Sequence, residues 1–311
     1  RGNCLCDHVF STFRDRRRVQ RMRIAVLLHE RDGDFWTGDY LLKHLAKEWQ
    51  GAGVSVLPVF GPKGFVSADA AILHVDLTRI PEPYLELARR YRRTVNGCVV
   101  DIGKRAFSAH IVRPGDGYEG PVIVKTERNY GGRPEARFAA RRSVWARAVG
   151  HAKRKLPWRL VHELPADAYP IFASPREVPP GVWRNPNLLV QRLLCERHGD
   201  LYALRRWTFL GDCEIHNISF GTTPIVKASS GSAREPLGEV PEVLRATRRR
   251  LAFAYGKFDY AVVNSEVVLF DVNRTPAVNP ATSERDLGLI VQQLSGGLSA
   301  FFETPPAECR Q

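Results

Sequence analysis

The chain has 311 residues, 44% of them hydrophobic, and a formal net charge of +13. It is long enough for two or three packed units, and no run approaches the ~18 apolar residues that a membrane helix needs. The charge raises nucleic-acid binding. However, the arginines are spread over Arg14–Arg18, Arg89–Arg93, Arg137–Arg142 and Arg245–Arg250, with only isolated aromatics such as Tyr91 and Phe138 among them. That pattern gives no base-stacking surface and reads as solvated helix faces that favour anionic substrates. The six cysteines include no C-x-x-C pair, and a reducing, cytoplasmic location is expected.

Residues 1–21 form a basic tail with no apolar core of the kind a signal peptide has. They precede Met22, the only methionine, so translation is expected to start there, with the tail disordered or upstream of the true start. From Met22 the pattern alternates strand and helix. Arg23–Leu28 reads as a strand, Tyr40–Trp49 as an amphipathic helix, Val54–Phe60 and Ala70–Val75 as strands, Pro83–Tyr91 as a helix and Cys98–Asp101 as a short strand. This spacing implies a parallel, Rossmann-like sheet over 22–103. The loop after the first strand is His29-Glu30-Arg31-Asp32-Gly33-Asp34, not a G-x-G-x-x-G, so no dinucleotide is expected.

A second unit, 104–186, contains the strand Pro121–Lys125, the turn Asn129-Tyr130-Gly131-Gly132 and a helix over Glu135–Val149. Glycines let backbone N–H groups approach an anion, and a strand-end lysine adds a point charge for phosphate. On their own, Lys125 and the Gly131-Gly132 turn also fit an ordinary surface. The third unit, 187–311, opens with the apolar strand Leu188–Cys195 followed by Glu196. Strands at Tyr202–Phe209 and Glu214–Ser219 follow, the first with Arg205-Arg206 near its middle, then a helix over Pro241–Tyr255.

Next come two β-type runs, Phe258–Val263 and Val267–Asn273, joined by Asn264-Ser265-Glu266 and read as a hairpin. Alternation puts Asp271 and Asn273 on one face, and pairing can fold Asp259 beside them. Three oxygen ligands on one face suit a hard divalent cation that also binds phosphate; a core hairpin with polar ends is the plainer reading. A last helix is expected over Glu284–Phe302.

Taken in order, Lys104, Lys125 with Gly131-Gly132, the Val190–Glu196 strand, Arg206, and Asp259 followed by Asp271-x-Asn273 resemble the ATP-grasp superfamily. Among its members the chain resembles carboxylate–amine ligases such as glutathione synthetase and the ligases that add glutamate to a ribosomal protein. The resemblance runs from Met22 to about Pro280, and Asn273-Arg274-Thr275-Pro276 echoes the family's Asn-x-x-Pro ending.

It implies an α/β ATP-grasp fold behind a Rossmann-like N-terminal domain. It implies ATP and Mg2+ as cofactors, with Mn2+ as an alternative metal. By the same resemblance, Lys104 and Lys125 contact phosphates under the Gly131-Gly132 loop, Gln191, Arg192, Leu193 and Leu194 hold adenine, and Glu196 holds ribose, with Asp200 a weaker candidate. Asp259, Asp271 and Asn273 bind the metal, and Arg206 is the catalytic arginine. Where related ligases place another arginine about a dozen residues later, this chain reads Ile218-Ser219-Phe220, and Lys227 is the candidate substitute.

The expected reaction joins a carboxylate, small-molecule or peptide, to an amine through an acyl phosphate. Alternatives are a kinase or phosphotransferase, or a nucleotide-binding protein without turnover. A homo-oligomer is left open, with no membrane partner. Acceptor choice is expected around His29–Gly38 and His74–Thr78, at the carboxyl ends of parallel strands. Asp32, Asp34, Asp76 and Thr78 are the polar candidates there; His74 reads equally well as a core histidine.

Overall fold

The structure is a computed structural model and describes residues 22–140, 157–165, 169–226 and 235–303. It contains three sheets. The N-terminal sheet is parallel, in the order β2-β1-β3-β4, with β1 Arg23–Leu28, β2 Ser55–Phe60, β3 Ala70–Leu73 and β4 Thr94–Val95. Residues Ile24 to Leu28 of β1 are all buried, as expected of a central strand covered on both faces. Helix α1, Leu41–Gly51, and helix α2, Glu82–Arg89, fall close to the positions read from the sequence. The expected strand at Cys98–Asp101 is not formed. The chain pairs earlier, at β4, and a turn through Asn96 leaves only Asp101 in an isolated bridge with Arg79.

The central sheet is antiparallel, in the order β5-β8-β6-β7 (β5 Ile111–Val112, β6 Val122–Thr126, β7 Ile171–Phe172, β8 Leu188–Arg192). A short helix α3, Lys104–Phe107, leads into it, and helix α4, Arg133–Ala140, follows β6. The part of the expected helix beyond Ala140 lies outside the described residues. The central unit has a core of its own, built on Val112, Val122, Val124, Leu188 and Val190.

The C-terminal sheet is antiparallel, in the order β12-β11-β10-β13-β14, with β9 also paired to β10. Its strands are β9 Glu196–His198, β10 Leu201–Leu210, β11 Cys213–Gly221, β12 Glu235–Pro236, β13 Tyr255–Val263 and β14 Glu266–Asn273. Helix α5 spans Glu242–Arg250, and Tyr255, expected at its end, instead begins β13. In the β13–β14 turn both Asn264 (φ 52) and Ser265 (φ 66) have positive φ, the requirement of a two-residue type I′ connection.

The N- and C-terminal units share one core. Ile24, Val26, Leu42, Leu45 and Trp49 pack in the same buried cluster as Leu210, Tyr255 and Val291, Leu294 of helix α6, Glu284–Ser295. Polar ties reinforce it. Trp49 Nε1 donates to Ser295 O at 2.9 Å, and Asn96 bonds the backbone of Ala254 and Tyr255. The fully buried Arg274 donates to Leu77, Thr78 and Val99 carbonyls. The three units surround a cleft of about 940 Å3.

Candidate functional site

The cleft floor is set by strand register. Arg206 pairs with Asn217 on one side and with Asp259 on the other, and Asp259 pairs with Asp271. Asn217, Arg206, Asp259 and Asp271 therefore form a continuous row across β11, β10, β13 and β14, all facing the cleft. The neighbouring row on that face is Ile215, Thr208, Lys257 and Asn273. The hairpin thus brings Asp259 beside Asp271 and Asn273: alternation along β14 puts the last two on one face, and a shift of register between Asp259 and Tyr260 sets Asp259 opposite Asp271.

The charges on this floor are partly compensated. Lys257 Nζ lies 3.0 Å from Asp259 Oδ2, and Arg206 Nε lies 3.8 Å from Asp259 Oδ1. The buried Arg206 also donates to Ser219 Oγ at 2.7 Å. Lys104 reaches over from α3, its Nζ 3.7 Å from Asp271 Oδ1 and 3.0 Å from Arg128 O. Distances of 3.7–3.8 Å suffice for an ion pair and are too long for a hydrogen bond. Accordingly, Asp259 Oδ1 and Asp271 Oδ1 are both buried with no hydrogen-bond partner.

Buried carboxylate oxygens without partners are costly, and a pair of them on one face, opposite two lysines, fits a divalent cation bridging to phosphate. Asn273 is the third member of the set. Its Oδ1 accepts from Thr275 N at 2.8 Å, which fixes the amide's orientation. The described residues contain no group of three His, Cys, Asp or Glu side chains arranged for a metal, so the set depends on an amide and two carboxylates.

Lys125 lies on the opposite wall, its Nζ 5.1 Å from the centre of the Phe270 ring. Burial, and then the neighbouring Lys104, push its ammonium down to about 8, against a smaller opposing pull from Asp271. A lysine held this way gains most from an incoming polyanion. Tyr169 shares the wall; burial and then Asp271 push its phenol up to about 12.

Other predicted residues are placed differently. Arg192, Leu193 and Leu194 line the cleft, but the N–H groups of Arg192 and Leu193 are already bonded to His110 O and Pro121 O at 2.9 and 2.8 Å. Gln191 is buried and donates to Ser108 Oγ. Glu196 is buried and does not face the cleft. Arg205 binds it through both carboxylate oxygens at 2.7–3.0 Å, and His198 and Val262 N–H complete the set. Desolvation raises the Glu196 carboxyl, but these bonds outweigh it and hold the group below its ordinary value. The ribose role expected of Glu196 is therefore unsupported, because its acceptor oxygens are spent within the sheet.

Asp200 is exposed at a turn, away from the cleft, and Lys227 lies outside the described residues. Gly131 and Gly132 adopt φ of +70 and +80 just after Tyr130 at +47. A Cβ on Gly132 would sit 2.9 Å from His162 O, so the turn needs glycine there. In this turn it is Asn129 and Tyr130 that face the cleft.

On the N-terminal wall, Asp32, Asp34 and Asp76 line the cleft as expected, together with Tyr40. Thr78 instead accepts the Asn129 N–H through its hydroxyl. His74 is a core residue, fully buried with both ring nitrogens unpartnered, and burial followed by the charge of Arg274 pushes it down to about 3.

Asn217 and Lys257 were missed by sequence reasoning. Asn217 could have been found by counting register outward from a hairpin turn, since Leu210 pairs with Cys213 and every later pair follows, and Lys257 by alternation along β13, two residues before Asp259. Asn217 faces the cleft directly before the Ile218-Ser219-Phe220 segment.

No family model matches the chain, and no curated protein matches it. Solved structures do. A RimK domain ATP-grasp protein from Sphaerobacter thermophilus is 13% identical, with a TM-score of 0.44 over 90% of this chain and 99% of that one. D-alanine–D-alanine ligase from Bacillus anthracis is 11% identical, with a TM-score of 0.44 over 91% and 97%. Macrocyclase MdnC from Microcystis aeruginosa, solved with its precursor peptide MdnA, is 10% identical, with a TM-score of 0.43 over 86% and 98%. In fold the chain is similar to these proteins. At TM-scores below 0.5 the likeness assigns no activity, which must come from the chain's own side chains.

Proposed function

We propose that the chain is an ATP-grasp carboxylate–amine ligase that converts Mg-ATP to ADP and phosphate. The observation that carries this reading is the row Arg206–Asp259–Asp271, with two buried carboxylate oxygens that accept no hydrogen bond, on a cleft that Lys104 and Lys125 also line. Asp259, Asp271 and Asn273 would hold magnesium, which when bound supplies charge neutralisation for the phosphates.

The protein's own part is positioning and electrostatics, which dominate phosphoryl transfer. Lys104 and Lys125 draw the phosphates towards the floor. Leu193, Leu194 and Cys195 offer an apolar edge for the adenine. Arg206, fixed by Ser219 and Asp259, presents a preorganised cation to the transferring group. A substrate carboxylate oxygen bonds to the γ-phosphorus as the bond to ADP breaks. The amine then bonds to the acyl carbon, phosphate departs, and the amine loses a proton. Asp34, which lines the N-terminal wall and is not paired with Arg137, supports an amine on that side of the cleft.

The test is ADP release from Mg-ATP across panels of carboxylates and amines, with hydroxylamine present. An acyl phosphate yields a hydroxamate; a phosphorylated alcohol or amine does not, and a stable phosphorylated product would sink the ligase reading in favour of a kinase.

A further inference from the structure

The central unit meets the N-terminal wall through α4, and one side chain makes the main polar contact. Arg137 Nη2 lies 3.3 Å from Asp32 Oδ1, 3.2 Å from Asp76 Oδ2 and 3.0 Å from the Tyr40 hydroxyl. The two carboxylates stand beyond the ends of β1 and β3, and their side chains are only 5% and 16% exposed. Among the described residues, no other lysine or arginine is ion-paired with either. Two half-hidden carboxylates sharing one hydroxyl repel each other unless a cation bridges them, and here that cation comes from a different unit. A single guanidinium nitrogen, Nη2, makes all three contacts.

The contact continues inward. Asp76 accepts the Thr275 hydroxyl through Oδ1 at 2.8 Å, and the Thr275 N–H donates to Asn273 Oδ1 at 2.8 Å. A chain of bonds therefore runs from α4 through Arg137, Asp76 and Thr275 to Asn273. We infer that Arg137 is a positioning residue: it latches α4, and with it the Asn129–Gly132 turn, onto the N-terminal wall, and it couples that closure to the setting of Asn273. The latch follows from the geometry alone; its coupling to metal and nucleotide rests on the proposed function.

Two amides report closure directly. Thr78 N–H donates to Glu135 Oε1 and Asn129 N–H donates to Thr78 Oγ1, each at 2.9 Å across the same gap. In the nucleotide-free protein, Arg137→Ala should speed hydrogen exchange at Thr78 and Asn129 at least ~10-fold while leaving the β1 amides unchanged, and Arg137→Lys should restore part of the protection. The variant Arg137→Ala/Asp76→Asn should exchange no faster than Arg137→Ala, because both changes remove the same contact.

With Mg-ATP carrying a fluorescent ribose label, Arg137→Ala should release nucleotide ~10-fold faster and need several-fold more Mg2+ for half-maximal binding. A side chain that served only local stability would not move the magnesium requirement. Unchanged exchange at both amides, or additive effects in the double variant, would overturn the latch. If the latch passes but the magnesium requirement stays fixed, the coupling to Asn273 is wrong. If the native protein binds no Mg-ATP at all, the functional reading fails, while the exchange result still decides the latch.

Discussion

The two joints around the cleft are built from different materials. Where the N- and C-terminal units meet, they share one buried apolar cluster, closed by Trp49, Asn96 and the buried Arg274. Where the central unit meets the N-terminal wall, no buried apolar cluster spans the joint among the described residues. The contacts there are Arg137 with Asp32 and Asp76, Arg31 with Phe138 O at 2.7 Å, the stacked rings of His29 and Phe138, and the two reporter amides. Apolar burial is non-directional and cooperative, whereas directional polar contacts exchange readily with water. The first joint should behave as a single body, and the second should open.

The largest expected effect tests the floor that the fixed body carries. Asp271→Ala should lower ATP-dependent turnover by ~10^3-fold or more, measured as ADP release, with little change in melting temperature because the side chain lies on the cleft. Wild-type turnover in this variant would remove Asp271 from the metal set. Next, Leu294→Ala, in the core shared by the two outer units, should cost about 2–5 kcal/mol in urea denaturation. The N- and C-terminal sheets should lose exchange protection together; separate transitions would show that they are two bodies.

Lys125→Met should weaken ATP binding by ~10–100-fold in calorimetry, about 1.4–2.7 kcal/mol. The pH dependence has a definite sign. Because the Lys125 ammonium is pushed down to about 8, the free protein loses this charge as pH rises through that value. ATP binding should therefore weaken above pH 8 and take up protons there, whereas a binding isotherm that was flat with pH would argue that Lys125 does not meet the phosphates. The smallest expected effect is Glu196→Gln. It should change nucleotide affinity by less than ~3-fold, because both oxygens serve Arg205, His198 and Val262, but should cost about 1–3 kcal/mol of stability. A large loss of affinity at unchanged stability would return Glu196 to the ribose.

Much of this was legible in the sequence, for identifiable reasons. The parallel sheet announced itself because a strand buried on both faces is an unbroken apolar run, as β1 is. The hairpin was legible because alternation fixes which side chains share a face. Partnership was not. Glu196 is a carboxylate after an apolar strand whatever it binds, and only the pairing of β9 with β10 brings Arg205 to it. Strand β4 was misplaced because a two-residue edge strand carries almost no pattern, and the apolar Val99 and Val100 nearby carry more. Asn217 went unnoticed because its importance lies in the register opposite Arg206 and not in its neighbours along the chain.

One irregularity in the hairpin bears on how such chains are compared. Tyr260 pairs with Leu269 and Asp259 with Asp271, so Phe270 has no partner and β14 carries one extra residue. Two consecutive side chains, Phe270 and Asp271, consequently face the same cleft, which an unbroken strand forbids. Phe270 works as a phase-shifter. Had the turn-side register run on unbroken, Phe270 would sit opposite Asp259 and Asp271 opposite Phe258, a position pointing at the aromatic interior of Trp207, Phe209 and Tyr260. Deleting the Phe270 codon would close the bulge and leave Asp271 opposite Asp259, with the wet and dry sides of the strand end unchanged. Alignments that close such a one-residue gap will place the acid on the wrong side of the sheet.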